Sequence, residues 1–526
     1  MRLTTLIGTV ALGVTIAGSA SAQTVKTDLG VVEGQVTADG KVHAWLGIPF
    51  AAPPTGARRW QPPQPAEPWD GVRKADAFGP RCLQNPVFGD MIFRDRQDED
   101  CLYLNVWAPA DAAGKKLPVM FWIHGGGFQA GAASEPRQDG TMLAQKGVVV
   151  VSANHRLGVF GFFAHPELTA ESGTKTSGNY GLLDMIAALQ WVQRNVAAFG
   201  GDPDAVTIFG ESAGSFAVSA LMAAPPARGL FHRAIGESGA YFQLAGGPLG
   251  LKPLSASEAE GVEFAKHAGA DSLAALRAMP GEALLKAAQT RWFSPIVDGH
   301  VLPDTVEAIF AAGKQAQVPL LAGWNADESR AGVVLGKETM TAAVFIANAK
   351  TRFGDRADDL LKVYPASNDD EAVESAAALA GDFFIGYSTW KWIEVHRATG
   401  NAPVYRYSFD RKIPVPPDLT INGKPATAED IGARHAGEIE YVFGQLDTVP
   451  KVTWTEADRV LSDRMMTYWS NFAKTGDPNG SGLPAWPAYD PATPRVLHLD
   501  VEIGAKPDTR RPRYLFLDST RTAGSR

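Results

Sequence analysis

Ala205-Val206-Thr207-Ile208-Phe209-Gly210-Glu211-Ser212-Ala213-Gly214-Ser215-Phe216-Ala217-Val218-Ser219-Ala220-Leu221-Met222-Ala223 runs from an apolar strand through a tight turn into an apolar helix. Its centre, Gly210-Glu211-Ser212-Ala213-Gly214, matches G-x-S-x-G. A serine at such a turn is strained, and small neighbours let the strand and helix pack closely around it. Its Oγ then projects above the sheet, where the helix N-terminus favours developing negative charge. The five-residue pattern alone is common. A strand before it, a helix after it and a glycine-rich loop upstream make Ser212 a candidate nucleophile. Gly236-Glu237-Ser238-Gly239 looks similar but has Ala240 next, so Ser238 is expected to be a buried hydrogen-bonding serine.

The upstream loop is His124-Gly125-Gly126-Gly127-Phe128, at the end of the apolar run Val119-Met120-Phe121-Trp122-Ile123. Acyl transfer creates an oxyanion that needs aimed N–H donors. Backbone amides approach a tetrahedral centre most easily where side chains are absent. Gly126 and Gly127 are therefore candidate donors, with the N–H of Ala213 as the third. A phosphate-cradling loop is the rival reading, but neither G-K-[ST] nor G-x-G-x-x-G follows.

Val148–Val151 and Ala205–Phe209 are further apolar runs, as suits parallel strands covered on both faces. Between them, Leu182, Ile186, Leu189 and Val196 fall on one stripe, which predicts a helix over about Leu182–Ala198. Strand, helix and strand in this order imply an α/β fold with a large, mostly parallel central sheet. Leu320-Leu321-Ala322 and Val404–Phe409 read as later strands. Val31–Thr37 and Val42–Leu46, joined by Ala38-Asp39-Gly40, read as a hairpin. Residues 51–70 read as irregular; 256–290 and 339–399 read mostly as helix. No internal repeat or linker interrupts the chain, so residues 23–526 are expected to form one large domain with helical excursions over the site.

The chain has 526 residues, 45% apolar and 20% charged, with a formal net charge of −8. Those proportions are ordinary for a globular protein and exclude a disordered one. The acidity excludes an electrostatic footprint for nucleic acid. Residues 1–22 read as a signal peptide: Arg2, an uncharged run from Leu3 to Ala17, then Ala20-Ser21-Ala22. The expectation is a periplasmic or secreted protein, cleaved after Ala22, with no membrane span. Export places the two cysteines, Cys82 and Cys101, in an oxidising compartment. A bridge between them would contribute roughly 3 kcal/mol by loop closure; two buried free thiols are the alternative. Two cysteines exclude a Cys-based metal site.

Further segments carry a family likeness. They are Leu46-Gly47-Ile48-Pro49-Phe50-Ala51, Glu99-Asp100-Cys101-Leu102-Tyr103-Leu104-Asn105-Val106 and Asn154-His155-Arg156-Leu157-Gly158-Val159-Phe160-Gly161. They continue with Gly178-Asn179-Tyr180-Gly181-Leu182-Leu183-Asp184, Phe199-Gly200-Gly201-Asp202-Pro203 and Asn471-Phe472-Ala473-Lys474-Thr475-Gly476-Asp477-Pro478-Asn479. Together with the serine turn and the glycine loop, the chain resembles the type-B carboxylesterases of the α/β-hydrolase superfamily, over most of its length. The resemblance implies ester hydrolysis through an acyl-enzyme, with no metal or organic cofactor. It implies a Cys82–Cys101 disulfide. It also implies an acid after a strand, matched by Glu328 in Gly323-Trp324-Asn325-Ala326-Asp327-Glu328-Ser329. The histidine it implies is matched by His435 in His435-Ala436-Gly437-Glu438-Ile439-Glu440. Ser329 stands where the family usually has glycine, and H-A-G replaces its usual H-G-Y. Ser212, Glu328 and His435 occur in the chain order the fold requires. Of the other histidines, His124, His155 and His300 precede the acid and His498 lies in a late strand-like stretch. Asp327 is the rival acid; Asp298 reads as structural, and Glu211 as a group that tunes the pocket.

The partner implied is a small-molecule ester. Choline esters are disfavoured, because residues 83–100 contain Phe88 and Phe93 but no tryptophan for cation–π binding. Gln289-Thr290-Arg291-Trp292-Phe293 resembles the family's acyl-pocket segment. There Arg291 either favours a carboxylate-bearing acyl group, as in fumonisin-type polycarboxylate esters, or is an exposed surface residue. Phe128 is a further pocket candidate. A lipase, an amidase or thioesterase, and a non-catalytic adhesion homologue are the competing readings. The last conflicts with the presence of Ser212 and its partners.

Overall fold

The computed structural model describes residues 23–89, 91–244, 249–329, 340–421 and 423–523. The expected signal peptide, residues 1–22, lies outside the described residues. The main element is an 11-stranded sheet. In chain order its strands are β1 (Gln35–Val36), β2 (Val42–Pro49), β3 (Tyr103–Pro109), β4 (Leu117–Ile123), β5 (Val149–Ala153) and β6 (Gly201–Glu211). They continue as β7 (Arg233–Glu237), β8 (Leu320–Asn325), β9 (Val404–Phe409), β10 (Arg495–Leu499) and β11 (Gly504–Pro507). Across the sheet the order is β11-β10-β9-β8-β7-β6-β4-β5-β3-β2-β1. Every neighbouring pair from β5 to β10 is parallel, and the pairs at either edge are antiparallel.

The apolar runs follow from burial on both faces. Along β4, Val119, Phe121 and Ile123 join one core, while Met120 and Trp122 join the other. The first core is closed by α1 (Tyr180–Asn195) and α2 (Ala213–Ala223), which contribute Leu182, Ile186, Leu189, Phe216 and Leu221. The second is closed by α3 (Glu456–Thr475), through Leu461, Met465, Trp469 and Phe472. A capping box of Thr455 and Asp458 starts α3, and the left-handed Gly476 ends it.

The expected helix over Leu182–Ala198 starts two residues earlier and finishes as a 3₁₀ turn, Val196–Phe199. The expected first hairpin is only half formed. Gln35–Val36 pairs with His43 and Ala44, but Val31–Glu33 joins a separate three-stranded sheet with Thr24–Lys26 and Val72–Lys74. Helices Leu254–His267, Ala342–Phe353, Asp369–Gly381 and Tyr387–Thr399 occupy the segments read as helical. Among the described residues, no helix is long and apolar enough to cross a membrane.

Candidate active site

Ser212 stands between the C-terminal end of β6 and the start of α2. Its φ of 53° is one that a non-glycine residue adopts only under strain. The close fit around the turn explains its composition. A Cβ on Gly214 would lie 2.0 Å from the carbonyl oxygen of Ile123, so any side chain would push α2 off β4. The Ser212 N–H donates to the Glu237 carbonyl at 2.8 Å, which ties the turn to β7.

His435 arrives on the loop before a short helix, Ile439–Phe443. Its Nε2 is 2.9 Å from Ser212 Oγ and 3.3 Å from Glu211 Oε1; its Nδ1 is 2.6 Å from Glu328 Oε2. Glu328 sits just past β8, where its Oε1 accepts from Ser238 Oγ at 2.6 Å and from the Asn325 N–H at 2.8 Å. Asp327, the rival acid, faces elsewhere: its Oδ2 accepts the Ala433 N–H at 2.8 Å and so secures the loop that carries His435. Ser238 is buried and hydrogen-bonded, as expected, and its main partner is Glu328.

Four buried glutamates, Glu211, Glu237, Glu328 and Glu438, surround this point. Glu438 accepts from Asn325 Nδ2 at 2.5 Å and from Ser238 Oγ at 3.2 Å. Burial and the neighbouring Glu328 push Glu438 up to about 7. Burial, with the charges of Glu438 and Glu328, also holds Glu211 well above the usual carboxylate range, although His435 and Arg137 act against this. Burial disfavours the His435 imidazolium, but the carboxylates of Glu211 and Glu328 outweigh it and raise its pKa to about 9.

The glycine loop folds over the same point. Gly126 (φ 106°) passes so near the Ala130 carbonyl oxygen that a Cβ would lie 2.1 Å from it. The N–H groups of Gly126, Gly127 and Ala213 donate to no protein acceptor among the described residues. Beneath the loop, His124 and His155 stack with ring centroids 4.3 Å apart. Burial lowers His124 to about 4 and holds His155 well below its usual range, so the pair is uncharged at neutral pH.

A cavity of about 60 Å³ opens on Ser212, His435, Glu211 and Gly126, with Phe88, Met91 and Arg137 in its wall. Phe88 and Met91 belong to the loop closed by the Cys82–Cys101 disulfide, whose Cα atoms are 4.9 Å apart. The remaining pocket candidates lie elsewhere. Phe128 is buried under the glycine loop, edge-on to Phe162 at 5.3 Å. Arg291 lines a second cavity and lies 6.0 Å from the Phe264 ring centroid. Asp298 Oδ1 accepts the N–H groups of His300 and Leu302, a structural turn.

Sequence reasoning misses Arg137 and Glu438. Arg137 lies in a single 3₁₀ turn, Pro136–Gln138, too short for any periodicity to flag it. For Glu438 the available signal is its place three residues after His435.

The model of the carboxylesterase family matches residues 21–517. A fumonisin B1 esterase from Sphingopyxis macrogoltabida is 39% identical over 88% of this chain and 84% of its own. A para-nitrobenzyl esterase from Bacillus subtilis (strain 168) is 38% identical over 94% of this chain and 98% of its own. A solved PNB esterase structure superimposes with a TM-score of 0.79 at 35% identity, covering 94% of this chain and 99% of that one. Matches of this extent establish the α/β-hydrolase fold and ester hydrolysis. The chain belongs to the carboxylesterase family and is a carboxylic ester hydrolase.

Proposed function

We propose that the protein hydrolyses small-molecule esters through an acyl-enzyme on Ser212, with His435 as general base and acid and Glu328 as its orienting carboxylate. The observation that carries this reading is the line of contacts from Ser212 Oγ to His435 Nε2 (2.9 Å) and from His435 Nδ1 to Glu328 Oε2 (2.6 Å).

His435 Nε2 takes the serine proton as Oγ attacks the ester carbonyl. The new oxyanion is held by the N–H groups of Gly126, Gly127 and Ala213. Glu328 keeps the imidazole in the tautomer with a proton on Nδ1 and stabilises the imidazolium. Nε2 then protonates the departing alcohol, which leaves the acyl-serine ester. A water molecule, deprotonated by the same nitrogen, attacks that ester and releases the acid and Ser212. No step calls for a metal or organic cofactor.

The relatives named for para-nitrobenzyl and fumonisin B1 esters support ester substrates without choosing an acyl group. The N-terminal segment supports export with cleavage after Ala22, and one 11-stranded sheet drawing strands from Gln35 to Pro507 supports residues 23–526 as one domain. The test is Ser212→Ala on p-nitrophenyl butyrate. A loss of roughly 10⁴-fold or more in kcat is expected, and near-normal turnover overturns the assignment.

A further inference from the structure

Helix Asp369–Gly381 runs on into helix Tyr387–Thr399 through a π-helical turn, Asp382–Gly386. There the Tyr387 N–H reaches back five residues to the Asp382 carbonyl. A π turn adds one residue to a helix, and such turns frequently sit at functional sites. The two phenylalanines of this turn take different partners. Phe383 packs under the Arg352 guanidinium, 4.1 Å from the ring centroid, and against Phe353. Phe384 meets the His435 ring, with centroids 4.9 Å apart and planes 62° from parallel. Gly381, just before the turn, lies against Glu328: a Cβ there would be 3.4 Å from Glu328 Cβ. The turn therefore backs onto Glu328 and His435 at once.

The turn is anchored by a buried ion pair. Asp382 Oδ2 accepts from Tyr364 Oη at 2.6 Å and from Arg513 Nε at 2.8 Å, and Arg513 Nη2 lies 2.6 Å from it. Arg513 belongs to helix Arg511–Ala523. Charge-assisted bonds of this kind are strong, and breaking one leaves a buried charge uncompensated. The place of Phe384 is thus tied to Arg513. A fixed wall of this kind meets a need of His435. Its hydrogen bonds at Nδ1 and Nε2 hold two ends of the imidazole, but they leave the ring free to rock about the line between them. A side chain packed on the ring restrains that motion, and Phe384 is so packed.

We propose that Phe384 is a positioning residue for His435, which keeps the imidazole in line between Glu328 and Ser212, and that the Asp382–Arg513 pair keeps Phe384 in place. The proposal rests on the acyl-enzyme reading, in which His435 moves the proton in both half-reactions. A looser ring slows acylation and deacylation alike. Equal slowing of the two lowers kcat and leaves KM where it is, whatever the acyl group. A residue that only lined the pocket would instead change KM and the ranking of substrates.

The test measures kcat and KM for p-nitrophenyl acetate and p-nitrophenyl butyrate, with folding checked by circular dichroism. The proteins are wild type, Phe384→Ala, Phe384→Leu, Arg513→Lys, the Phe384→Ala Arg513→Lys double variant and His435→Ala. Phe384→Ala should lower kcat roughly 3- to 10-fold on both esters, the worth of one aromatic pair, and leave KM unchanged. Phe384→Leu keeps apolar bulk against the imidazole and should lose less, roughly twofold; it carries the test if the alanine variant does not fold. Arg513→Lys should also lower kcat, and adding it to Phe384→Ala should cost nothing further, because both act through one contact. A folded Phe384→Ala, or failing that Phe384→Leu, with wild-type kcat overturns the positioning role. So does a variant that changes only KM or the acetate-to-butyrate ratio. Additive losses in the double variant overturn the link to Arg513. Persistent hydrolysis by His435→Ala overturns the acyl-enzyme reading, and with it the role of Phe384. Loss of hydrolysis in His435→Ala with Phe384→Ala unaffected overturns the positioning role alone.

Discussion

Ser238→Ala removes one of the three hydrogen bonds that fix the Glu328 carboxylate. Oε1 would keep the Asn325 N–H at 2.8 Å and Oε2 would keep His435 Nδ1 at 2.6 Å, but the 2.6 Å donor on Oε1 would be gone. A hydrogen bond to a charged group contributes about 1.5–3 kcal/mol. If the loss falls wholly on the transition state, kcat drops roughly 10- to 150-fold; the remaining Asn325 donor places the expected loss near the lower end. Two effects act in opposite directions. Without the hydroxyl the carboxylate oxygen is less shielded and attracts the imidazolium more strongly. It also loses the contact that orients it, and orientation dominates the rate because Nε2 must stay on the serine. The variant should therefore show a lower kcat together with an acid limb displaced to higher pH, at little change in KM. The assay is kcat and KM on p-nitrophenyl butyrate from pH 5 to 9.5, with circular dichroism to confirm folding. A folded variant with kcat within twofold of wild type and an unmoved acid limb refutes the reasoning.

Glu211→Gln removes a carboxylate that raises the pKa of His435. The base must be neutral to act, so activity falls as pH drops through that pKa, and the variant's acid limb should move to lower pH in a kcat/KM profile. An unmoved limb shows that Glu211 carries no charge in the working enzyme. Replacing Cys82 and Cys101 together by serine should destabilise the protein by about 3 kcal/mol, read as a lower guanidinium midpoint. It should also raise KM, because Phe88 and Met91 are held beside Ser212 by that loop. Unchanged values of both would contradict the structural role.

Much of this is legible in the sequence because burial leaves a local imprint. Strands β4, β5 and β6 are covered on both faces, so they appear as apolar runs, and α1 shows its helical pattern because it is buried except for a narrow strip at Gln190 and Arg194. The early hairpin is not legible, because a β-pattern alone does not say which strand a segment pairs with. Val31–Glu33 and Gln35–Val36 join different sheets across one residue. Ser212, Glu328 and His435 lie in specific local motifs. Arg137 does not; Arg291 lies in a segment that resembles an acyl pocket, but which cavity it lines depends on contacts elsewhere in the chain, such as Arg291 over Phe264. Ser238 is recognisable as buried, but its partner, 90 residues on, is not.

Hydrolysis through an acyl-enzyme requires that Ser212 become acylated. The most direct measurement is peptide mass spectrometry after treatment with a fluorophosphonate, which phosphonylates an activated serine. One adduct per chain is expected, on the peptide containing Ser212, in proportion to lost activity, and none in His435→Ala. Inactivation with the adduct on another residue, or full labelling of Ser212 with activity retained, would contradict it.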